Sequence, residues 1–340
     1  MTKQVFPFNV GYDCGNGAVK LKFSGHNQDL DFIRFPSYFV DVTKCHTDHQ
    51  GKSRVTYVSG TDAKYNQELV GKTWVTGDDA AVLDIRDQVF ENRSDGKVKL
   101  ALPLFLSGVA QLPIKRKHWE FRLVGSVHDA EIYGDALKAN LEGTHKVVIG
   151  GEETTIVIHV VKIFDEGFIF KPASTTNTTM MDIGNGTVIL TRFNSEGSVL
   201  HRSNPYRFGV QHLYKKIYDH PTVRAIGLDR DIELIRKGVE TSEDGKILYG
   251  VGKGSVNITP AYKESLKDWC DNYLKEPINQ ADKFKLSGDR VVVVGGGAML
   301  PLLSKNFEKK GYVFNKQAPF MNVKKLHEYA CNSLSSEAME

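Results

Sequence analysis

One short pattern occurs twice in this chain, and it constrains the fold more than anything else in the sequence. Asp13-Cys14-Gly15-Asn16-Gly17-Ala18-Val19-Lys20-Leu21 returns as Asp182-Ile183-Gly184-Asn185-Gly186-Thr187-Val188-Ile189-Leu190. Each copy follows a short apolar run (residues 8–12 and 178–181) and continues into a second strand-like run. The pattern predicts a β-hairpin closed by a glycine-containing turn. Glycines on both sides of an Asn permit positive φ, expose backbone N–H groups and let a bulky anion come close. An Asp at the end of the first strand suits a hydrated divalent metal beside phosphate. Two such hairpins half a chain apart predict two similar domains sharing one nucleotide. The plainer alternative is two ordinary hairpins in an α/β protein.

A third element favours the nucleotide reading. Arg290-Val291-Val292-Val293-Val294 is a continuous apolar run of buried-strand type, and it breaks into Gly295-Gly296-Gly297 before a predicted helix. A helix start beside glycines suits the floor of a nucleotide pocket.

With these three elements in order, the sequence resembles the actin-like ATPase superfamily, which includes actin, sugar kinases and DnaK-type chaperones. Asp13-x-Gly15-Asn16-Gly17-x-x-Lys20 is similar to its first phosphate motif. Met181-Asp182-x-Gly184-Asn185-Gly186-Thr187 is similar to its second, and Val294 to Ala298 to its adenosine motif. Length and the lysine at the eighth motif position resemble the plasmid-segregation actins of the ParM/StbA type most. The resemblance implies an α/β actin-like fold of two ribonuclease H-like domains around a nucleotide cleft. Domain I would be residues 1–170 with 322–340 packing back on it, and domain II residues 171–321. It also implies that Gly15, Asn16, Gly17, Gly184, Asn185, Gly186 and Thr187 hold the phosphates. Lys20 would neutralise their charge, and Asp13 and Asp182 would hold Mg²⁺ through its waters. Gly209, before a predicted helix, would lie near the nucleotide, and Gly295 to Gly297 would make room for adenosine. Position 189 is Ile where the first copy has Lys20, so the two loops are not equivalent.

The resemblance further places an acid that orients the attacking water just after a strand at the end of the first half. Glu166 matches by position in Phe164-Asp165-Glu166-Gly167, and Asp165 is the substitute one residue away. An exposed loop acid with no catalytic role is the other reading. Relatives cross to domain II through a helix, for which residues 168–173 leave little room.

Composition bounds the rest. At 340 residues the chain can bury two moderate cores. A net charge of +3 demands no acidic partner. The four cysteines, Cys14, Cys45, Cys270 and Cys331, are scattered without C-x-x-C spacing, as in a reduced protein rather than a disulfide frame or zinc site. Cys14 reads as a small buried residue. His46 and His49 read as solvated loop histidines rather than metal ligands. Residues 115–122 are the most basic stretch, read as a solvated face beside a subunit contact or, alternatively, a nucleic-acid contact. No secretory signal and no apolar run of about 20 residues is present, and the acidic tail is a poor membrane anchor, so a cytoplasmic protein without membrane contact is expected. Helices are predicted at 97–111, 129–141, 211–218, 228–238, 260–280 and 324–334, the second with Ile132, Ala136, Leu137 and Leu141 inward.

Three functions compete on such a fold. A polymerising ATPase would use ATP or GTP with Mg²⁺, self-assemble into filaments and engage a DNA-binding adaptor for plasmid segregation. A sugar-type kinase would need an acid-lined hydroxyl pocket, for which no convincing motif stands out. A chaperone would need a peptide-binding domain, for which no residues remain.

Overall fold

The computed structural model describes residues 7–25, 28–45, 51–83, 86–88, 95–167, 175–227, 230–242, 245–250, 252–314 and 317–337. The chain divides into two compact units, Met1–Ile169 with Asn322–Glu340, and Phe170–Met321.

The first unit carries strands β1 (Phe8–Cys14), β2 (Ala18–Gly25), β3 (Gln28–Asp29), β4 (Ile33–Pro36), β5 (Tyr38–Asp41), β6 (Val55–Ser59), β7 (Thr73–Thr76), β8 (Asp87–Gln88), β9 (His118–Val127), β10 (Gly143–Ile149) and β11 (Glu152–Asp165). Among the described residues they form one sheet in the order β3-β2-β1-β9-β11-β10-β6-β7-β5-β8, with β4 also on β2. Its centre is β1, β9 and β11, all parallel. The short helices α1 (Lys64–Gln67) and α2 (Gly77–Ala81) lie between outer strands, and α3 (Gly96–Ala110) and α4 (Ala130–Leu141) flank β9 in sequence.

Every residue of α3 except Lys99 is buried, so its apolar composition reflects enclosure on all sides rather than one stripe. Phe105 of α3 meets the Phe121 ring edge-on at 5.4 Å and Tyr12 at 5.6 Å, and the Tyr12 hydroxyl donates to the Ala101 carbonyl at 2.8 Å. These contacts fix β1, the strand that carries Asp13. From the C-terminus, α11 (Met321–Glu337) lies on the same strand. A Cβ on Gly11 would stand 2.4 Å from the Val323 carbonyl oxygen, so this close approach requires glycine.

The second unit holds a sheet in the order β14 (Val199–Arg202), β13 (Val188–Phe193), β12 (Thr178–Ile183), β17 (Arg290–Val294), β18 (Val313–Phe314). A separate hairpin pairs β15 (Leu248–Tyr249) with β16 (Val256–Asn257). Helices α5 (Val210–Asp219), α6 (Pro221–Arg224), α7 (Ile232–Glu240), α8 (Thr259–Trp269), α9 (Lys275–Leu286) and α10 (Leu303–Lys309) complete it. Its core joins Met181 and Ile183 of β12 to Leu213, Tyr262, Trp269 and Val293.

Several expectations need correction. In the basic stretch Lys115, Arg116, Lys117 and His118 are exposed, as expected of a solvated face, but from His118 on it is the start of β9, the central strand. Trp119, Phe121 and Leu123 alternate with Glu120 and Arg122, a period-2 pattern masked by charge. Arg116 sits over the Phe8 and Trp119 rings at 4.8 and 5.2 Å. In α4 only Leu137 and Leu141 of the expected face are buried, while Ile132 is 68% exposed and Ala136 is exposed. Gly134 and Asn140 take the inward places, the latter through a bond from its side-chain amide to the Val98 carbonyl. The predicted helix 260–280 is two helices joined by a π-helical turn, Cys270–Leu274. Pro277 lacks the N–H that would bond to the Tyr273 carbonyl, and the widened turn absorbs the mismatch. The helix expected at 228–238 starts at Ile232, capped by Asp231. His46, His49 and residues 168–173 lie outside the described residues. Among the described residues, no helix is long and apolar enough to cross a membrane.

Candidate nucleotide-binding site

In the first unit the antiparallel register of β1 and β2 sets Asp13 opposite Lys20. The Lys20 ammonium contacts the Asp13 carboxylate at 3.0 Å, with Asp13 buried. Gly15 to Gly17 form the turn between the strands. Ser37 braces it, its hydroxyl donating to the Gly15 carbonyl at 2.6 Å and its N–H to that of Gly17 at 3.4 Å. Beside the hairpin, the Lys97 ammonium at the start of α3 pairs with Glu166 Oε1. Burial would push the Lys97 ammonium down, but the adjoining Glu166 carboxylate outweighs this and holds it above its ordinary value. Cys14 is buried, and burial pushes its thiol up to about 12, which fits an inert packing residue.

The two acids after β11 have different neighbours. Asp165 accepts from the Ala130 N–H at 2.6 Å, in the first turn of α4, whereas Glu166 turns to Lys97 while its N–H donates to the Val127 carbonyl at 2.9 Å.

In the second unit, Asp182 lies opposite Ile189 on β13 and beside Val294 on β17. Gly209 precedes α5 and rests against the turn: Gly209 N–H donates to the Gly186 carbonyl at 3.2 Å, Val210 N–H to Gly184 at 3.1 Å and Gln211 N–H to Asn185 at 2.8 Å. A Cβ on Gly209 would fall 2.4 Å from the Asn185 oxygen. The start of a ten-residue helix, with its partial positive charge, thus adjoins the Gly184-Asn185-Gly186-Thr187 turn. Gly295 adopts φ +85°, and a Cβ there would meet Asp182 Oδ1 at 2.4 Å; one on Gly297 would meet Ile183 Cγ2 at 2.3 Å, whereas Gly296 faces open space. The unit therefore gathers the second hairpin, Gly209 and all three adjacent glycines.

One expectation fails in both hairpins. Gly15, Gly17, Gly184 and Gly186 do not adopt positive φ. Close approach explains two of these glycines, since a Cβ on Gly15 would lie 2.7 Å from the Ala18 carbonyl oxygen and one on Gly184 3.2 Å from that of Thr187. Among the described residues the N–H groups of Asn16, Gly17, Asn185 and Gly186 make no backbone hydrogen bond, and no group of three or more His, Cys, Asp and Glu could hold a metal ion. Taken unit by unit, the first turn with Lys20 and the second turn with the α5 terminus each fit an anion, and each turn is preceded by an acid, Asp13 or Asp182, of the kind that suits a cation keeping its water.

Residues 11–168 match the family described as actin like proteins N terminal domain. Bacillus thuringiensis ParM with ATP superposes with a TM-score of 0.69 at 16% identity, over 96% of this chain and 99% of that one. The chain has the actin-like fold. A 15-stranded ParM filament from Clostridium botulinum gives 0.66 at 16% identity, over 96% and 100% of the two chains. A Bacillus thuringiensis ParM hybrid with ADP, which contains two ParM mutants, gives 0.71 at 16% identity over 98% of this chain, which spans only 50% of that one. No curated protein matches the chain.

Within the actin-like fold, sequence reasoning missed Lys97 and Ser37. The available signal for the first was a lysine, one of two with Lys99, opening a mostly apolar helix. For Ser37 there was none, because its role depends on β4 and β5 meeting the β1–β2 turn.

Proposed function

We propose that this chain binds Mg-ATP, hydrolyses it and assembles into nucleotide-dependent filaments that act in plasmid DNA segregation through a DNA-binding adaptor. The observation that carries this reading is the pair of Asp-x-Gly-Asn-Gly hairpins, each ending a central strand of its own sheet in an actin-like fold. Support for nucleotide use comes from relatives described with ATP and with ADP, and support for assembly from the 15-stranded ParM filament.

The turn amides of Asn16, Gly17, Asn185 and Gly186 would bind phosphate oxygens, helped by Lys20 and by the N-terminus of α5. Mg²⁺, when bound, supplies charge neutralisation on the phosphates, with Asp13 and Asp182 holding it through its waters. Glu166 would align the hydrolytic water, because phosphoryl transfer depends on positioning and charge rather than on covalent chemistry by the protein. A bound γ-phosphate biases the subunit toward the state whose surfaces pair, which couples assembly to nucleotide. Negative-stain microscopy of the protein with Mg-ATP tests the reading. Filaments that vanish with ADP are expected, and dispersed particles under every nucleotide contradict it.

A further inference from the structure

Outside the two hairpin turns, Lys97 is a buried cation beside the first of them. Its side chain is only 6% exposed, at the mouth of a helix whose other inward residues are apolar apart from Ser107. A buried ammonium needs a compensating anion, and Glu166 supplies one. The pair joins the start of α3 to the residue after β11, two segments otherwise remote in sequence. Both members act electrostatically on Cys14 of the first hairpin, and Lys97 also on Asp13. The Glu166 main chain is tied to Val127 and its carboxylate pairs with Lys97, so the ion pair helps set the direction of the carboxylate.

We infer that Lys97 is a positioning residue that holds the Glu166 carboxylate beside the Asp13 hairpin before nucleotide arrives, so the water-aligning acid is preset. The inference rests on the reading of Glu166 given above. Lys97 acts through Glu166 and not on phosphate, so its removal changes the hydrolytic step rather than binding.

The test uses the full chain as Lys97→Met, Lys97→Arg, Glu166→Gln and the double variant Lys97→Met/Glu166→Gln. Thermal melting without nucleotide reads the pair itself. Lys97→Met is expected to melt lower than wild type, and the double variant no lower than Lys97→Met, since an unpaired partly buried carboxylate is costlier than a neutral pair. Single-turnover phosphate release and calorimetry with Mg-ATP read the role. Lys97→Met should release phosphate about 10- to 100-fold more slowly with affinity within about threefold of wild type, and Lys97→Arg should be intermediate. The double variant should be no slower than Glu166→Gln. A further loss in the double variant, or weakened binding in Lys97→Met, would place Lys97 on the nucleotide and overturn the inference. An unchanged rate in folded Lys97→Met would leave only a structural ion pair. Should Lys97→Met not fold, Lys97→Arg carries the test, and a full wild-type rate there overturns it. A wild-type chain that binds but never hydrolyses ATP would reject the Glu166 reading and this inference with it, whereas additive melting losses would reject the pairing alone.

Discussion

The two hairpins share a sequence pattern yet reach an anion-ready turn by different means. The first relies on side-chain charge: Asp13 faces Lys20 across the ladder, with Lys97 and Glu166 paired nearby. The second has Ile189 where the first has Lys20, and it relies on backbone. The Gly209 approach brings the N-terminus of α5 against the turn, and Gly295 lets the β17 end pass beside Asp182. A helix terminus is fixed by packing and cannot swing away, whereas a lysine can exchange partners. The first hairpin is thus the adjustable half and the second the rigid half.

If that contrast is right, the largest effect should come from the rigid half. Gly209→Val drives a side chain into the Asn185 carbonyl, and nucleotide affinity measured by calorimetry should fall by about 10²-fold or more. Wild-type affinity in the folded variant would break the comparison. Glu166→Ala should keep ATP bound but release phosphate about 10²-fold more slowly; an unchanged rate would remove the water-aligning role. Asp182→Ala should weaken Mg-nucleotide binding by about 10- to 100-fold, with its melting curve keeping a single folded transition. Lys20→Ala should cost about tenfold in affinity, with a loss that shrinks at high salt, while Ile189→Lys should change affinity by less than about threefold. A large gain from Ile189→Lys would mean that the helix terminus does not substitute for a lysine. The smallest effect is chemical. With its thiol pushed up to about 12 by burial, Cys14 stays protonated at pH 8 and should resist alkylation until the chain unfolds, whereas exposed Cys45 should react at once.

Both hairpins, the Gly295 turn and the helix α3 were legible because each is local: periodic segment, turn residue and breaker sit within a few positions. Central β9 was not, because Glu120 and Arg122 disguised its alternation. The α4 face was misplaced because small Gly134 and hydrogen-bonded Asn140 went inward where pattern alone favoured Ile132 and Ala136. At the site, residue identities could be read from motifs, but the choice between Asp165 and Glu166 as the acid beside the first hairpin could not. That required knowing that the N-terminus of α4 engages one acid and Lys97 the other. The glycines were flagged for positive φ, yet two of the hairpin glycines answer to carbonyl oxygens three residues on in their own hairpins, a constraint that appears only once the chain is folded.

Time-resolved light scattering with matched pelleting tests nucleotide-driven assembly. On addition of Mg-ATP above a critical concentration, the signal should rise and then decay as hydrolysis converts subunits to a weaker-binding state, and Glu166→Ala should rise without decaying. No scattering and no pellet with ATP, GTP or non-hydrolysable analogues, together with turnover stimulated by an added hydroxyl substrate, would contradict it and identify a kinase instead.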